Sequence, residues 1–314
     1  MSATIGVIAV TGAHHLRRCL EQLVPQTRGV PVEVIVPYDV AMPGVGELSA
    51  LFPHATFVDL GVLTTTAPDG SVVARHERFE QRVSAVLTRA KGTHVALLQD
   101  WGIPAPDWVR HLMEATRLPH AAMGGAIDNA APALLNWAVY FLDFGRYQSP
   151  LGTGASEELS DMNVVYRLED LEQIRTTWEE QYNEALVNWS LLKRGKVLWR
   201  VPELVVHHDR GSVLFNEAVA ERYGWGRVFG AVRAHSMSFG RLLPYIILSP
   251  LIPVVIAVRM GAIVFARKCN RLRFLQAFPA FFTLAIVWAT GELVGYLTRR
   301  PARVLRTGRV QIAS

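Results

Sequence analysis

The chain has 314 residues, half of them hydrophobic, which is enough for one large domain or two small ones. Ten of its 32 basic residues lie from Arg259 onward, where Glu292 is the only acid, so residues 1–258 carry a net charge near −4 and the tail one near +9. A nucleic-acid-binding protein usually carries its positive charge on the folded domain, so this class is disfavoured and contact of the tail with anionic lipid headgroups is favoured. The two cysteines, Cys19 and Cys269, form neither a disulfide framework nor a zinc motif.

The first hundred residues predict alternating strands and helices. Short apolar runs rich in β-branched residues are typical of buried parallel strands, and apolar residues three and four positions apart are typical of helices. These patterns predict strands at 5–10, 32–36, 56–60 and 94–98, and helices at 14–26 and 75–90. Successive strand–helix–strand units build a doubly wound sheet.

The next part of the chain continues this pattern. It predicts helices at 104–117, 136–144, 168–176, 184–193 and 215–236, and strands at 121–127, 162–166 and 197–206. The glycine-containing segments 61–73 and 149–158 predict loops. The expected fold class is therefore α/β, with a Rossmann-like and mostly parallel sheet.

Polar residues follow three of the predicted strands. Thr11 follows the first strand, Asp39 the second and Asp100 the fourth. Ligands bind beyond the carboxyl ends of the strands in an open parallel sheet, so these side chains are candidates for a metal–diphosphate site. The alternative for each aspartate is a helix cap or a turn former.

Several segments carry a more specific signal. They are Pro25-Gln26-Thr27, residues 90–98, 104–108, 160–167, 184–195 and 205–208, and the later Arg222, Gly226-Arg227 and Arg233. In this order they resemble the inverting family 2 glycosyltransferases, over roughly residues 3–235. The resemblance implies a GT-A nucleotide-sugar domain and an enzyme that transfers a sugar.

The resemblance also implies roles on the acceptor side. Inverting transfer needs one base that deprotonates the acceptor hydroxyl, and the resemblance places Glu184 there. Asp161 and Asn163 lie in a segment similar to the acceptor-side segment of the family. The alternative for Glu184 is a surface glutamate, with Glu179 and Glu180 as rival bases.

On the donor side the resemblance implies a pocket for the nucleoside diphosphate. Asp39 would hold the base or ribose, Thr11 would line the same pocket, and Asp100 would lie on the metal side. Arg222 and Arg227 would clamp the pyrophosphate. A solvated helix face is the alternative for these two arginines.

The metal motif departs from that of the family. Where the family usually has D-x-D, this chain has Gln99-Asp100-Trp101. The resemblance implies that His207 or His208 completes a metal site with Asp100, and a surface pair at the strand end is the alternative for these histidines. An amide is a poor ligand for Mg²⁺ or Mn²⁺ and an indole is none, so metal affinity should be weak unless substrate phosphates supply most of the coordination. Arginines taking over the charge is one alternative, and a catalytically impaired scaffold in a glycan-assembly complex is another.

Two apolar segments follow, at 242–265 and 275–297. The first contains three prolines and Arg259, so it is expected to be broken, re-entrant or in-plane. The second contains Glu292, which is expected either to pair with Arg259 or to lie at the headgroup level. A buried soluble hairpin is the alternative for the whole region.

The basic residues around these segments predict their orientation. The positive-inside rule places the loop 266–273 and the run 299–309 on the cytoplasmic side, with the catalytic domain. A simple two-pass hairpin would place its loop on the other side, so membrane attachment is a safer prediction than two crossings. The predicted location is the cell membrane, with the catalytic domain on its cytoplasmic face.

The predicted organisation has three parts: a GT-A domain at 1–240, membrane-associated helices at 241–298 and a basic tail at 299–314. The resemblance implies an inverting transfer from a nucleoside-diphosphate sugar to a lipid-linked or cell-envelope polysaccharide acceptor. The expected partners are this donor, this acceptor and anionic membrane lipids, with no nucleic acid. Self-association into a homo-oligomer is also compatible with the resemblance.

Overall fold

The computed structural model describes residues 2–299 of the chain. Its strands are β1 (Ala3–Ile8), β2 (Val32–Tyr38), β3 (Ala55–Asp59), β4 (His94–Gln99), β5 (Gly102–Pro104), β6 (Ala122–Asn129), β7 (Gly154–Ser156), β8 (Asn163–Arg167) and β9 (Leu198–His208). Its helices are α1 (Ala13–Leu23), α2 (Val72–Arg89), α3 (Trp108–Ala115), α4 (Leu134–Asp143), α5 (Leu168–Glu172), α6 (Glu184–Lys193), α7 (Phe215–His235), α8 (Phe239–Leu248), α9 (Ile252–Arg267) and α10 (Arg271–Thr298).

Within residues 2–299 the nine strands form one sheet, in the order β3-β2-β1-β4-β8-β6-β9-β5, with β7 paired to β9. The first four strands in this order are parallel, as are β6 and β9. Only β5, β7 and β8 run in the opposite direction. The prediction of an α/β fold with a mostly parallel sheet is therefore confirmed.

Helices cover both faces of this sheet. Side chains alternate between the faces of a strand, so Ala96 and Leu98 of β4 face one core cluster while Val95 and Leu97 face the other. The first cluster contains apolar residues of α1, α3, α4, α9 and α10, and the second those of α2, α5 and α6. The result is a three-layer arrangement with the sheet in the middle.

Glycines bring α7 and α10 unusually close together. Gly226 and Gly230 of α7 face α10, and Gly291 and Gly295 of α10 face α7. A Cβ atom at Gly230 would lie only 2.2 Å from the carbonyl oxygen of Glu292. Small residues spaced in this way allow two helix backbones to touch, so α10 is packed firmly against the end of the α/β domain.

Glu292 is buried at this helix crossing, with a relative exposure of 3%. Arg233 of α7 donates to its Oε1 over 3.4 Å, Trp288 Nε1 donates to its Oε2 over 2.9 Å, and Tyr296 donates to Oε1 as well. The expected pair with Arg259 is therefore wrong, since Arg233 takes that place, whereas the level of Glu292 in a membrane stays a prediction. Its partner comes from α7 because the glycines bring that helix within reach.

Within residues 2–299, two helical segments are long and apolar enough to cross a membrane by length and composition, Phe239–Arg267 and Arg271–Thr298. The first is interrupted by a single turn at Ser249–Leu251, which contains Pro250, and this agrees with the predicted break. Large apolar side chains on its outer side are exposed, among them Ile247 and Val258. The basic run from Arg300 onward lies outside the described residues.

The turn between α9 and α10 is tied to the α/β domain. Arg267 donates to the carbonyl oxygens of Gln148 and of Arg146, the latter over 2.9 Å. Cys269 Sγ and Asn270 Nδ2 both donate to Gln148 Oε1. Part of the predicted basic loop therefore lies against the domain.

Candidate active site

One large cleft, of about 1830 Å³, opens at the carboxyl ends of β1 and β4. Its polar half is formed by the β1–α1 turn, the end of β4 and the starts of α2 and α6. Its apolar half is formed by α8 and α9, with Trp288 and Glu292 of α10 also in the lining. The cleft thus joins the ligand-binding edge of the sheet to the apolar C-terminal helices.

Asp100 lies at the polar end of the cleft and organises the β1–α1 turn. Its Oδ2 accepts hydrogen bonds from Val10 N (2.9 Å), Thr11 N (3.0 Å) and Thr11 Oγ1 (3.2 Å). Its Oδ1 is buried and has no partner within residues 2–299. Burial raises the pKa of Asp100 to about 6, against the opposing effect of these hydrogen bonds. Thr11 and Asp100 are therefore brought together as predicted from their strand ends.

Asp39 lies beside a second, smaller pocket of about 340 Å³ that shares Met42 with the large cleft. The Asp39 side chain is buried, and its Oδ2 forms an ion pair with Arg82 Nη1 over 3.0 Å. Its Oδ1 accepts a hydrogen bond from Ala41 N over 2.7 Å. Both carboxylate oxygens are therefore already engaged in holding the turn after β2.

Asp161 and Glu184 form a pair of carboxyl groups in the cleft. Asp161 precedes β8 and Glu184 begins α6, where Asn183 caps the helix and accepts from Leu186 N. The backbone N–H of Asp161 donates to Glu184 Oε2 over 3.0 Å, and Gln99 Nε2 donates to Asp161 Oδ1 over 2.8 Å. Gln99 stands at a position where the metal motif described above would have a metal ligand, and in this chain it binds Asp161 of the acid pair instead.

The two carboxyl groups influence each other's pKa because they lie close together in the cleft. Burial and the neighbouring Glu184 carboxylate raise the pKa of Asp161 well above its usual range. Burial also raises the pKa of Glu184, but the Asp161 N–H and the charge of Arg146 oppose this effect. More of the opposing contributions fall on Glu184, so its ionised form is the better stabilised of the two and Glu184 is the candidate proton acceptor.

Asn163 does not reach the cleft. Its Oδ1 accepts from Trp108 Nε1 over 3.0 Å, and its Nδ2 donates to the carbonyl oxygens of Ala126 and Leu204. With a relative exposure of 1% it fastens β8 to its neighbours inside the sheet. The structure therefore separates Asn163 from Asp161, although both were predicted on the acceptor side.

The residues on either side of Asp100 offer no second charged ligand for a divalent cation. Gln99 is bonded to Asp161, and Trp101 donates its Nε1 to Thr11 Oγ1. His207 is exposed, whereas His208 is buried with both ring nitrogens unpaired, and burial lowers the pKa of His208 to about 3. Within residues 2–299, no three histidine, cysteine or acidic side chains come together as a metal site.

The arginines are placed differently from the prediction. Arg222 is fully buried in an ion pair with Asp143, so it neither faces solvent nor the open cleft. The backbone of Arg227 packs beside Gly291 and Gly295 of α10, and Arg227 is not among the residues that line the cleft.

Arg210 does line the cleft, although it is not among the site residues predicted from the sequence. Its guanidinium lies 4.6 Å from the centre of the Trp101 ring. The only signal in the sequence is its position two residues after His208.

Comparisons with known proteins identify the fold. No family model and no curated protein matches the chain. A mannosyltransferase from Pyrobaculum calidifontis, solved with GDP-Man and Mn²⁺, is similar at a TM-score of 0.56 and 12% identity, over 93% of this chain and 86% of that one.

Two further solved structures are more distant. Glucosyl-3-phosphoglycerate synthase from Mycobacterium tuberculosis, solved with UDP, has a TM-score of 0.47 and 13% identity, over 72% and 78% of the two chains. TarS 1–349 from S. aureus has a TM-score of 0.45 and 11% identity, over 93% and 90%. The first similarity, together with the sheet order, confirms that the chain has the GT-A fold of glycosyltransferases.

Proposed function

We propose that the protein is an inverting glycosyltransferase that moves a sugar from a nucleoside-diphosphate donor to an acceptor held at a membrane. The observation that carries this proposal is the Asp161–Glu184 pair, which shares one cleft with Thr11 at the ligand-binding edge of a GT-A sheet. Glycosyl transfer is also the activity named for the mannosyltransferase that shares this fold.

In the proposed reaction, Glu184 takes the proton from the acceptor hydroxyl as its oxygen attacks the anomeric carbon. The new bond forms between this oxygen and the sugar, while the bond between the sugar and the diphosphate breaks and the diphosphate leaves with the electron pair. Asp161, held by Gln99, positions Glu184 through its backbone N–H. One displacement inverts the anomeric configuration.

The apolar half of the cleft supports an acceptor with a lipid part. Ile252, Val255, Ile256 and Ile263 lie on one face of α9 and line the cleft, and Arg259 lies on the same face. The opposite face carries exposed Val254 and Val258. We therefore propose that α8 and α9 lie in the plane of the membrane with anionic headgroups at their basic residues, and that the domain faces the cytoplasm.

A polyprenyl-linked acceptor fits this arrangement better than a free polysaccharide, because the cleft continues onto apolar helices. The division into a GT-A domain at 1–240, membrane-associated helices at 241–298 and a tail at 299–314 stays a prediction, as does self-association. The packing of α10 on α7 and α4 supports treating these helices as one unit with the domain in any truncation.

A screen of nucleotide sugars tests the proposed function. Purified full-length protein with lipid vesicles is expected to release nucleoside diphosphate from at least one donor, and the matched variants Glu184→Gln and Glu180→Gln are expected to be inactive and active, respectively. Glu180 is the control because it is a nearby exposed glutamate at the surface. Equal turnover by both variants would reject Glu184 as the base.

A non-catalytic scaffold is the second candidate. It is supported by Gln99 and Trp101 at the metal motif and by the engagement of Asp100 in the β1–α1 turn. Calorimetry separates the two candidates, since the enzyme should bind a nucleoside diphosphate. Absence of heat with every nucleoside diphosphate, with and without Mn²⁺, would favour the scaffold.

A further inference from the structure

Trp101 and Arg210 are brought together by the pairing of β5 with β9. These strands are antiparallel, with Gly102 opposite His208. The residues just beyond this pair therefore meet as well, and Asp209 N donates to the Trp101 carbonyl oxygen over 2.8 Å. Arg210 follows directly, and its guanidinium lies 4.6 Å from the Trp101 ring centre, which is the geometry of a cation–π contact.

The Trp101 ring is fixed on the donor side of the cleft. Its Nε1 donates to Thr11 Oγ1 over 3.0 Å, and Thr11 in turn is bonded to Asp100. The edge of the ring meets His208, with ring centres 6.0 Å apart. The orientation of the indole is thus set from two sides, and this determines where Arg210 lies.

Arg210 lines the cleft and has N–H donors besides the one that is already paired. Its Nη2 forms an ion pair with Glu221 over 2.7 Å, which anchors the side chain. No other acceptor for its guanidinium occurs in the part of the chain that the structure describes. Five N–H groups in a planar fork allow an arginine to keep one carboxylate partner and bind phosphate oxygens as well.

We propose that Arg210, held on the face of Trp101, takes the place of a divalent cation and binds the diphosphate of the donor. The inference rests on the proposed function. At position 101 a carboxylate or an imidazole would bind a metal, whereas an indole binds a cation only through its face. Trp101, which stands where a metal ligand would, therefore serves to hold Arg210. The fixed guanidinium of Arg210 then supplies the positive charge that departure of the diphosphate requires.

Titration calorimetry with UDP, GDP, ADP, CDP and dTDP tests the inference on the full-length protein. With EDTA present, the wild type should bind at least one of them, and adding Mn²⁺ should change the affinity less than threefold. Arg210→Gln should weaken this binding by about 10- to 100-fold, because a charge-assisted contact is lost. Arg110→Gln removes an exposed surface arginine and should bind like the wild type.

Two further variants test the same contact if Arg210→Gln folds poorly. Arg210→Lys keeps the charge but not the planar fork, so its affinity should lie between those of the wild type and Arg210→Gln. Trp101→Leu removes the face that supports the guanidinium and should weaken binding to a similar extent as Arg210→Gln. Thermal unfolding identifies the folded variants.

The outcomes separate this inference from the proposed function. Binding by the wild type that EDTA abolishes, or binding that is equal in folded Arg210→Lys, Trp101→Leu and the wild type, would overturn the role of Arg210 alone. A wild type that binds none of the five nucleotides under either condition would overturn the proposed function, and the inference with it.

Discussion

Substitution of the two members of the Asp161–Glu184 pair should affect activity to different extents. Glu184→Gln removes the carboxylate that we propose as the base, whereas Asp161→Asn puts an uncharged amide of the same shape in place of an acid whose pKa is raised. The amide introduced at position 161 would still accept from Gln99 and still donate toward Glu184. We expect Glu184→Gln to be nearly inactive and Asp161→Asn to retain activity within about tenfold of the wild type.

The expected loss in Glu184→Gln follows from the surroundings of the pair. A positioned base contributes typically 10²–10⁴-fold to a rate, which corresponds to about 3–5 kcal/mol of transition-state free energy. The neighbouring Glu158 is paired with Arg146 and cannot replace Glu184 at the same position. The loss should therefore appear in kcat, with KM for the donor little changed.

The pH dependence of kcat provides a second readout. Transfer requires ionised Glu184, and burial raises the pKa of this group, so activity should fall with decreasing pH at a value above the usual range for glutamate. Asp161→Asn should keep this acid limb. Steady-state kinetics between pH 5 and 9 measure it, and the reasoning would be refuted if Asp161→Asn were inactive while Glu184→Gln retained wild-type kcat.

Three other predictions concern stability, each measured by chemical or thermal unfolding. The pKa of Asp161 is raised in the folded protein, so its contribution to the free energy of unfolding is present below the unfolded pKa and is lost as pH rises through the folded pKa. Asp161→Asn should therefore gain stability relative to the wild type at pH 8 but not at pH 3. An equal difference in stability at both pH values would contradict this. Gly230→Ala should lower the free energy of unfolding by about 1–3 kcal/mol, since the added Cβ would lie 2.2 Å from the Glu292 carbonyl oxygen. The control Gly240→Ala, with no atom within 4 Å of its Cβ, should cost nothing. Equal effects of the two substitutions would argue against the close α7–α10 contact. Asp39→Asn should cost about 3–5 kcal/mol because it removes the ion-pair partner of the buried Arg82. Its control Glu21→Gln, in an exposed ion pair, should cost less than about 1 kcal/mol, and similar values for both would mean that Arg82 is not buried as a charge.

Much of the fold follows from local patterns in the sequence. The predicted strands match β1 to β4, β6, β8 and β9 to within a few residues, since each is an apolar run between polar or glycine-containing turns. The prediction of a helix at 184–193 agrees with α6. The short strands β5 and β7 are missed, because three residues carry no periodicity and depend on pairing with β9.

The site is less predictable because its contacts join distant parts of the chain. Strand ends correctly indicate that Thr11 and Asp100 meet, since parallel strands share an edge. The role of Arg210 depends on the register between β5 and β9, which no local pattern reveals. Arg222 pairs with Asp143 because α7 packs near α4. The local sequence around an arginine does not distinguish one in a buried ion pair from one that is exposed to a ligand.

The membrane region shows the same limit. Prolines correctly predict the break between α8 and α9. The partner of Glu292 is missed, because the spacing of Gly226 and Gly230 opposite Gly291 matters only once α7 and α10 are known to cross. Hydropathy identifies apolar helices but not the domain surface that one of them covers.

The most direct test of the proposed function is the configuration of the first sugar product. Full-length protein with lipid vesicles is incubated with each α-linked nucleotide sugar, and the anomeric proton of the newly formed product is followed by NMR. We expect a β-configured product from at least one donor, and none from Glu184→Gln. An α-configured product, or no turnover of any donor, would contradict it.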